Sequence, residues 1–206
     1  MKRIFIIISL AAVLSTGAVF AAASVNGNYK GFPIVNVTLN GTKVNSDVPG
    51  VNFDSRTLLP VRAVAEAMNS VVRWDQKTAT AKIIKPAINM IFAGDITQES
   101  GGHITIQDAG SYFNTVGKDR WENLYIEIGP MESSLYDYRV VVSDPKGNIV
   151  GTSEVQSETV GKEGLIVFIP VENMTYSYPG NYKFKFQIKY DGTFQTVGET
   201  VAVVES

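Results

Sequence analysis

Residues 56–75, RTLLPVRAVAEAMNSVVRWD, decide the fold of the N-terminal part of the chain. Pro60 stands where a helix can begin without losing a hydrogen bond, because the first helical amides have no partner in any case. Val61, Val64, Ala65 and Met68 follow at i, i+3, i+4 and i+7, so the spacing predicts a short helix over about 60–68 with its apolar stripe turned to a sheet. Asn69 is a suitable left-handed stop. Arg62 and Glu66, four apart, fall on the other side, where a surface pair contributes only about 0.2–0.5 kcal/mol. Beyond the stop, Val71-Val72-Arg73-Trp74 and Ala79–Ile84 read as strands joined by the polar turn Asp75-Gln76-Lys77-Thr78.

Upstream, Val35, Val37 and Leu39 alternate with polar residues, and Asn40-Gly41 separates them from Thr42-Lys43-Val44. Both turn residues tolerate the positive φ of a type I′ turn, which predicts a β-hairpin over 34–45. Pro49-Gly50 turns the chain again, and Phe53–Leu58 leads into the helix, giving the outline β-β-α-β-β. At these residues the chain resembles the copper amine oxidase N-terminal (stalk) domain, a module common in secreted proteins of Gram-positive bacteria. The resemblance rests on the strand-Asn-Gly-strand opening, on Arg56-Thr57-Leu58-Leu59-Pro60-Val61-Arg62 followed by Ala65-Glu66-Ala67-Met68, and on Val72-Arg73-Trp74-Asp75. It covers about residues 34–85. Asn69 stands where the family more often has glycine, and Phe53-Asp54-Ser55 departs from its usual Asn-Gly. What the resemblance implies is a small sheet wrapped on a helix. It implies no copper chemistry, because the stalk is remote from the copper site of the oxidases that carry it.

The first residues, MKRIFIIISLAAVLSTGAVFAAAS, join Lys2 and Arg3 to an apolar run from Ile4 to Val13 and a small-residue exit at Ala21–Ala23. This is the layout of a secretory signal peptide, and the apolar run falls short of the roughly 20 residues that a membrane-spanning helix needs. The chain contains no cysteine, so extracellular stability has to come from packing rather than from disulfides. Its formal charge is −2 and becomes more acidic once Lys2 and Arg3 leave with the signal peptide. No basic block of the kind that recognises nucleic acid occurs.

Little in the chain suggests chemistry. Copper and zinc sites are built mainly from histidine and cysteine, and the single histidine, His103, reads as an ordinary strand side chain. There is no Gly-x-Ser-x-Gly nucleophile motif, no phosphate-cradling glycine loop and no calcium loop of the EF-hand kind. Glu66 and Asp75 are the obvious candidates for a pair of catalytic carboxylates. With Arg56, Arg62 and Arg73 beside them, they are better described as a structural polar cluster. No catalytic residue, no cofactor and no metal site is expected.

After Lys85-Pro86, short strand candidates recur: His103–Gln107, Asn123–Ile128, Tyr138–Ser143, Ile149–Glu154, Leu165–Pro170, Asn181–Tyr190 and Phe194–Val204. Turns such as Asp144-Pro145-Lys146-Gly147 and Asp191-Gly192 separate some of them, which predicts an antiparallel sandwich. In YKFKFQIKY, residues 182–190, the aromatic and aliphatic side chains point to one face and Lys183, Lys185, Gln187 and Lys189 to the other. Tyr178-Pro179-Gly180-Asn181-Tyr182 resembles the corner entering strand F of immunoglobulin-like domains, with Tyr182 bonding back to nearby backbone. Trp121, Tyr176 and Tyr178 are candidate partner contacts, since Trp and Tyr are favoured at binding hot spots. Each would equally serve to plug the end of the sandwich.

The expectation is therefore a mostly β protein: a signal peptide over 1–23, a linker over 24–33, a small α+β stalk-like domain over 34–86, and an all-β Ig-like sandwich over 87–206. The expected role is a secreted or cell-envelope-associated non-catalytic binding or structural protein that contacts protein or polysaccharide. The alternative is a secreted inhibitor or regulator of an extracellular hydrolase, reaching its target with loops 115–122 or 171–179.

Overall fold

The computed structural model describes residues 25–99, 103–107, 109, 113–117 and 119–206, so the expected signal peptide lies outside the described residues. Among the described residues the chain is mostly β with one short helix. It begins with β1 (Asn28–Tyr29), β2 (Phe32–Val35), β3 (Thr38–Leu39), β4 (Thr42–Lys43), β5 (Gly50–Phe53) and β6 (Arg56–Leu58). Asn40 (φ 49°) and Gly41 (φ 80°) both take positive φ, the type I′ geometry that matches strand twist, and pair Leu39 with Thr42. The hairpin is nevertheless shorter than the predicted 34–45. Ile34 and Val35 pair with Val51 and Gly50 instead, giving a sheet in the order β1-β2-β5-β6. Gly50 permits this approach, since a Cβ there would stand 3.0 Å from the Val35 carbonyl oxygen.

The helix, α1 (Val61–Ala67), forms where the apolar spacing placed it. Pro60 sits at the N-cap, one position before the first helical residue, and its carbonyl accepts from Val64 N at 3.2 Å. At the other end Asn69 has φ 54°, Asn69 N bonds Glu66 O at 3.0 Å and Ser70 N bonds Ala65 O at 2.9 Å. This is a full Schellman stop built on asparagine. Coverage of the apolar stripe differs from expectation. Ala65 is buried, but Val61 and Met68 remain 45% and 42% exposed and line an open apolar groove with Leu59, Val64 and Ile83. The reason lies in the ribbon that follows, β7 (Val71–Asp75) and β8 (Thr80–Ile84). Its register pairs Val71 with Ile84 on one face and Val72 with Ile83 on the other. Val71 is fully buried in the core of the C-terminal part and Ile84 packs against that core. A two-stranded ribbon committed on one face is too narrow to cover the helix with the other.

The C-terminal part contains β9 (Ile88–Ala93), β10 (Asp95–Gln98), β11 (Ile104–Gln107), β12 (Phe113–Thr115), β13 (Asp119–Ile128), β14 (Ser134–Ser143), β15 (Ile149–Thr152), β16 (Gln156–Val160), β17 (Leu165–Thr175), β18 (Gly180–Tyr190) and β19 (Thr193–Glu205). One sheet has the order β17-β13-β9. The other main sheet runs β12-β19-β18-β14-β15, with β16 also paired to β14, while β10 and β11 pair only with each other. All of these pairs are antiparallel except β12 with β19. Both sheets feed one core, in which Leu124, Ile126 and Ile169 from the first face Val140, Val142 and Phe186 from the second. Phe92 of β9 meets Phe184 of β18 edge to face at 4.9 Å, which ties the two layers together. Gly198 lets β19 pass close beneath β9, since a Cβ there would lie 2.6 Å from Ile88 Cγ2.

Strand β18 alternates as its sequence dictates. Tyr182, Phe184, Phe186 and Ile188 are fully buried, while Lys183 pairs with Glu199 at 3.3 Å and Lys189 with Asp137 at 3.1 Å on the opposite face. Tyr182 also bonds back to local backbone: its hydroxyl oxygen accepts from Tyr178 N at 3.1 Å.

Candidate functional site

The charged residues of the opening stretch do not gather into one cluster. On β7, Arg73 shares the face of Val71 and so points to the C-terminal part. There Nε and Nη2 reach Asp191 Oδ2 and Oδ1 at 3.2 and 3.0 Å. Asp191 opens the turn between β18 and β19, where it and Gly192 take φ of 49° and 80°. Asp75 stays in its own turn, accepting from Lys77 N at 3.0 Å and Thr78 N at 3.3 Å and pairing with Lys82 at 3.3 Å. The Thr78 backbone N–H is the largest of several contacts that lower its pKa below the ordinary carboxylate value. Arg62 lies 4.0 Å from Glu66 and donates to the Val72 carbonyl at 3.2 Å. Arg56 is exposed on β6 and forms no ion pair among the described residues. The predicted cluster thus resolves into separate clamps, because helix and ribbon turn their charges in different directions.

The aromatic candidates also separate. Tyr176 is fully buried; its hydroxyl donates to Glu122 Oε1 at 2.9 Å and its ring meets Tyr182 edge to face at 4.7 Å. It is a core residue and not a partner contact. Tyr178 is 40% exposed, with Lys146 Nζ 3.2 Å over its ring. Trp121 belongs to β13, and its side chain lies outside the described residues. Residues 119–122 and 171–175 belong to β13 and β17, with Asp119 opposite Thr175 and a bulge between Arg120 and Glu122, so most of both expected contact loops is sheet. His103 is exposed just before β11, and among the described residues no group of three or more His, Cys, Asp or Glu could hold a metal ion.

What the structure does assemble is a cleft between the polar side of α1 and the outer face of β18 and β19. The Arg73–Asp191 clamp closes one end of the contact between the two parts. Two grooves meet at Glu66, which lines both. The first, of about 440 Å³, is lined by Arg62, Gln187, Thr193, Phe194, Gln195 and Thr196 besides Glu66. The second, of about 500 Å³, lies between the Asn40 turn, with Lys43 and Asn45, and the pair Lys183 and Glu199. The floor of the first is a tied lattice. Arg139 Nε donates to Gln187 Oε1 at 2.9 Å, Gln187 Nε2 reaches Thr196 Oγ1 at 3.4 Å, and the Arg139 guanidinium stacks 4.2 Å from the Phe194 ring centroid. Gln195, opposite the buried Ile188, turns to the other side of β19, where its Oε1 is buried with no hydrogen-bond partner among the described residues. Leaving such a group unsatisfied costs about 1–3 kcal/mol. The alternation of β18 placed Gln187 and the lysines on one polar face in advance. The opposite wall depends on a contact between residues 73 and 191, for which the sequence holds no local signal.

Fold and cleft together define a mostly β protein with a small helix-bearing module set against a two-sheet part. Residues 38–98 match the copper amine oxidase N-terminal domain family. The matched segment contains neither histidine nor cysteine, so its residues do not fit a copper site. The match runs beyond β8 to include β9 and β10, whose partners β13 and β11 lie outside or at the far side of it. No curated protein and no solved structure matches this chain. Among the described residues no helix is long and apolar enough to cross a membrane.

Proposed function

We propose that this is a secreted or envelope-associated, non-catalytic binding protein in which a stalk-like module and an Ig-like domain hold a protein or polysaccharide between them. The observation that carries this reading is the cleft lined from both parts, with Arg62 and Glu66 on one wall and Gln187, Phe194 and Thr196 on the other. The Ig-like description is supported by the two-layer strand order and by the bond from Tyr178 N to the Tyr182 hydroxyl. A binding role is supported by how the cleft spends its charges. Glu66 faces Arg62 and Glu199 faces Lys183, an arrangement that fixes side chains in place. The layout of the first 23 residues supports export.

The test is sedimentation of the chain lacking residues 1–23 with cell-envelope material, beside capture from culture supernatant. Retention in one of the two fractions, with no turnover of envelope polymers, is the expected result. A chain that neither fraction retains, or one that degrades the polymers, overturns the proposal.

A further inference from the structure

The apolar groove on α1 lies on the other side of the helix from the cleft, and its floor ends at the outer edge of β8. We infer that a second copy of this chain covers it. The two β8 strands pair antiparallel about a two-fold axis at Ile83, giving a four-stranded sheet in the order β7-β8-β8-β7 with both helices on one face.

The edge is the first observation. Strand β8 pairs with β7 alone, in unbroken register from Asp75 opposite Thr80 to Val71 opposite Ile84. Among the described residues, the outward N–H and C=O groups of residues 79–85 therefore have no backbone partner. Such an edge takes up a further strand unless charge, proline or a bulge blocks it. The one charge within β8 is Lys82, and its ammonium is held 3.3 Å from Asp75 on the same ribbon.

The second is the apolar face. Ile83 stands opposite Val72, so alternation puts Ile83 and Trp74 on the side of the ribbon turned to α1, where they are 56% and 55% exposed. With Leu59, Val61 and Met68 they leave roughly 500 Å² of apolar side chain in water, toward the upper end for the largest patch of a monomer. Two copies would bury about 1,000 Å² from these side chains, before the strand backbones are added, which is the small end of a specific interface. Width is the third. A ribbon of two strands about 4.8 Å apart leaves one flank of a helix about 10 Å across uncovered, whereas four strands seat two helices side by side at 8–10 Å. Each helix then shields the open flank of the other.

The last observation is register. Residues directly opposite in an antiparallel ladder share a face, so the axis has to pass through a residue. At Ile83 it sets isoleucine against isoleucine and Lys82 beside Ile84. At Lys82 it would bring two ammonium groups together; at Ala81 it would set Ale79, with φ 49°, against Ile83; at Ile84 it would set Pro86, which has no N–H, against Lys82. A foreign protein would need an exposed strand edge with an apolar face of its own. This chain supplies both in the same five residues.

The test uses the chain from residue 24 onward. Sedimentation velocity should show a reversible monomer–dimer equilibrium with a Kd of about 10–100 µM, as suits a small interface. Ile83→Lys places two ammonium groups at the axis and should weaken association tenfold or more, with the melting temperature of the dilute monomer unchanged. A variant that melts earlier is replaced by Met68→Lys, judged by the same criteria. The chain has no cysteine, so Ile83→Cys reports the register. Opposed residues lie about 4.5–5.5 Å apart at Cα, within disulfide reach, and oxidised glutathione should join the two copies. Lys77→Cys, in the turn, should stay unjoined. A chain that remains monomeric at about 1 mM, well above that Kd, overturns the inference. So does a dimer that the folded lysine variant leaves intact, or Lys77→Cys joining as fast as Ile83→Cys. A monomer that captures another protein, and loses it on Ile83→Lys, gives the groove to a foreign partner, and the inference falls. None of these outcomes touches the binding role of the cleft, which is read from envelope and supernatant retention.

Discussion

Asp191 serves two purposes at once. Its backbone takes the positive φ that the turn between β18 and β19 requires, and its carboxylate receives both prongs of Arg73. The two side chains are 43% and 63% exposed, so solvent screens much of the attraction. A double-mutant cycle on Arg73→Ala and Asp191→Ala should give a coupling of about 0.2–1 kcal/mol that shrinks at high salt, read from chemical denaturation. A coupling unaffected by salt would show that packing, and not charge, holds the two parts together. Asp144 carries a pH dependence whose sign follows from its contacts. The Asn148 side-chain amide, then the backbone N–H groups of Asn148, Lys146 and Gly147, hold its pKa below the ordinary 3.8 against the opposing effect of burial. A carboxylate lowered in the folded state contributes stability above its unfolded pKa and loses it as pH falls through the folded one. Stability should therefore decline below about pH 4 and decline less steeply in Asp144→Asn, as thermal melts at stepped pH would reveal.

At the scale of the element, α1 ends on a non-glycine residue in the left-handed region, Asn69 at φ 54°. Asn69→Gly should be neutral or slightly stabilising, while Asn69→Ala should cost about 1 kcal/mol, because a Cβ without a polar side chain gains nothing from that conformation. Strand β19 offers a sharper test. Gly198→Ala drives a methyl against Ile88 and should cost about 1–3 kcal/mol by denaturant titration. These elements show why part of the fold was legible in the sequence. Helix α1, the Asn40-Gly41 turn and the two faces of β18 follow from local periodicity and turn chemistry, which need no knowledge of the partner. Strand β9 carried its signal too, with Ile88, Met90 and Phe92 alternating toward the core, but it lies directly behind Pro86, at the expected start of the sandwich, and was not among the expected strands. The half-open groove on α1 was not legible. Nothing in residues 56–75 states that Val71 belongs to a core built from residues 92–204.

For the whole molecule, that same valine makes the two parts one energetic system. Val71→Ala, at a fully buried site, should lower stability by about 2 kcal/mol and shift the melting of the C-terminal sheets, although the residue lies in the N-terminal ribbon. A shift confined to a separate, earlier transition would mean that the parts unfold independently. The cleft belongs to this scale as well. Its walls come from residues 39–69 and 183–199, so either part alone presents only half of it. The position of β19 has a further consequence for how the protein is made. It lies between β18 and β12 in the larger sheet, yet it comes last of the strands in chain order. While the polypeptide is being synthesised, the aromatic row of β18 therefore waits without its neighbour until residue 205 has left the ribosome. The nascent chain passes through a stage at which β18 has β14 on one edge and nothing on the other, and a holdase would matter most at that moment.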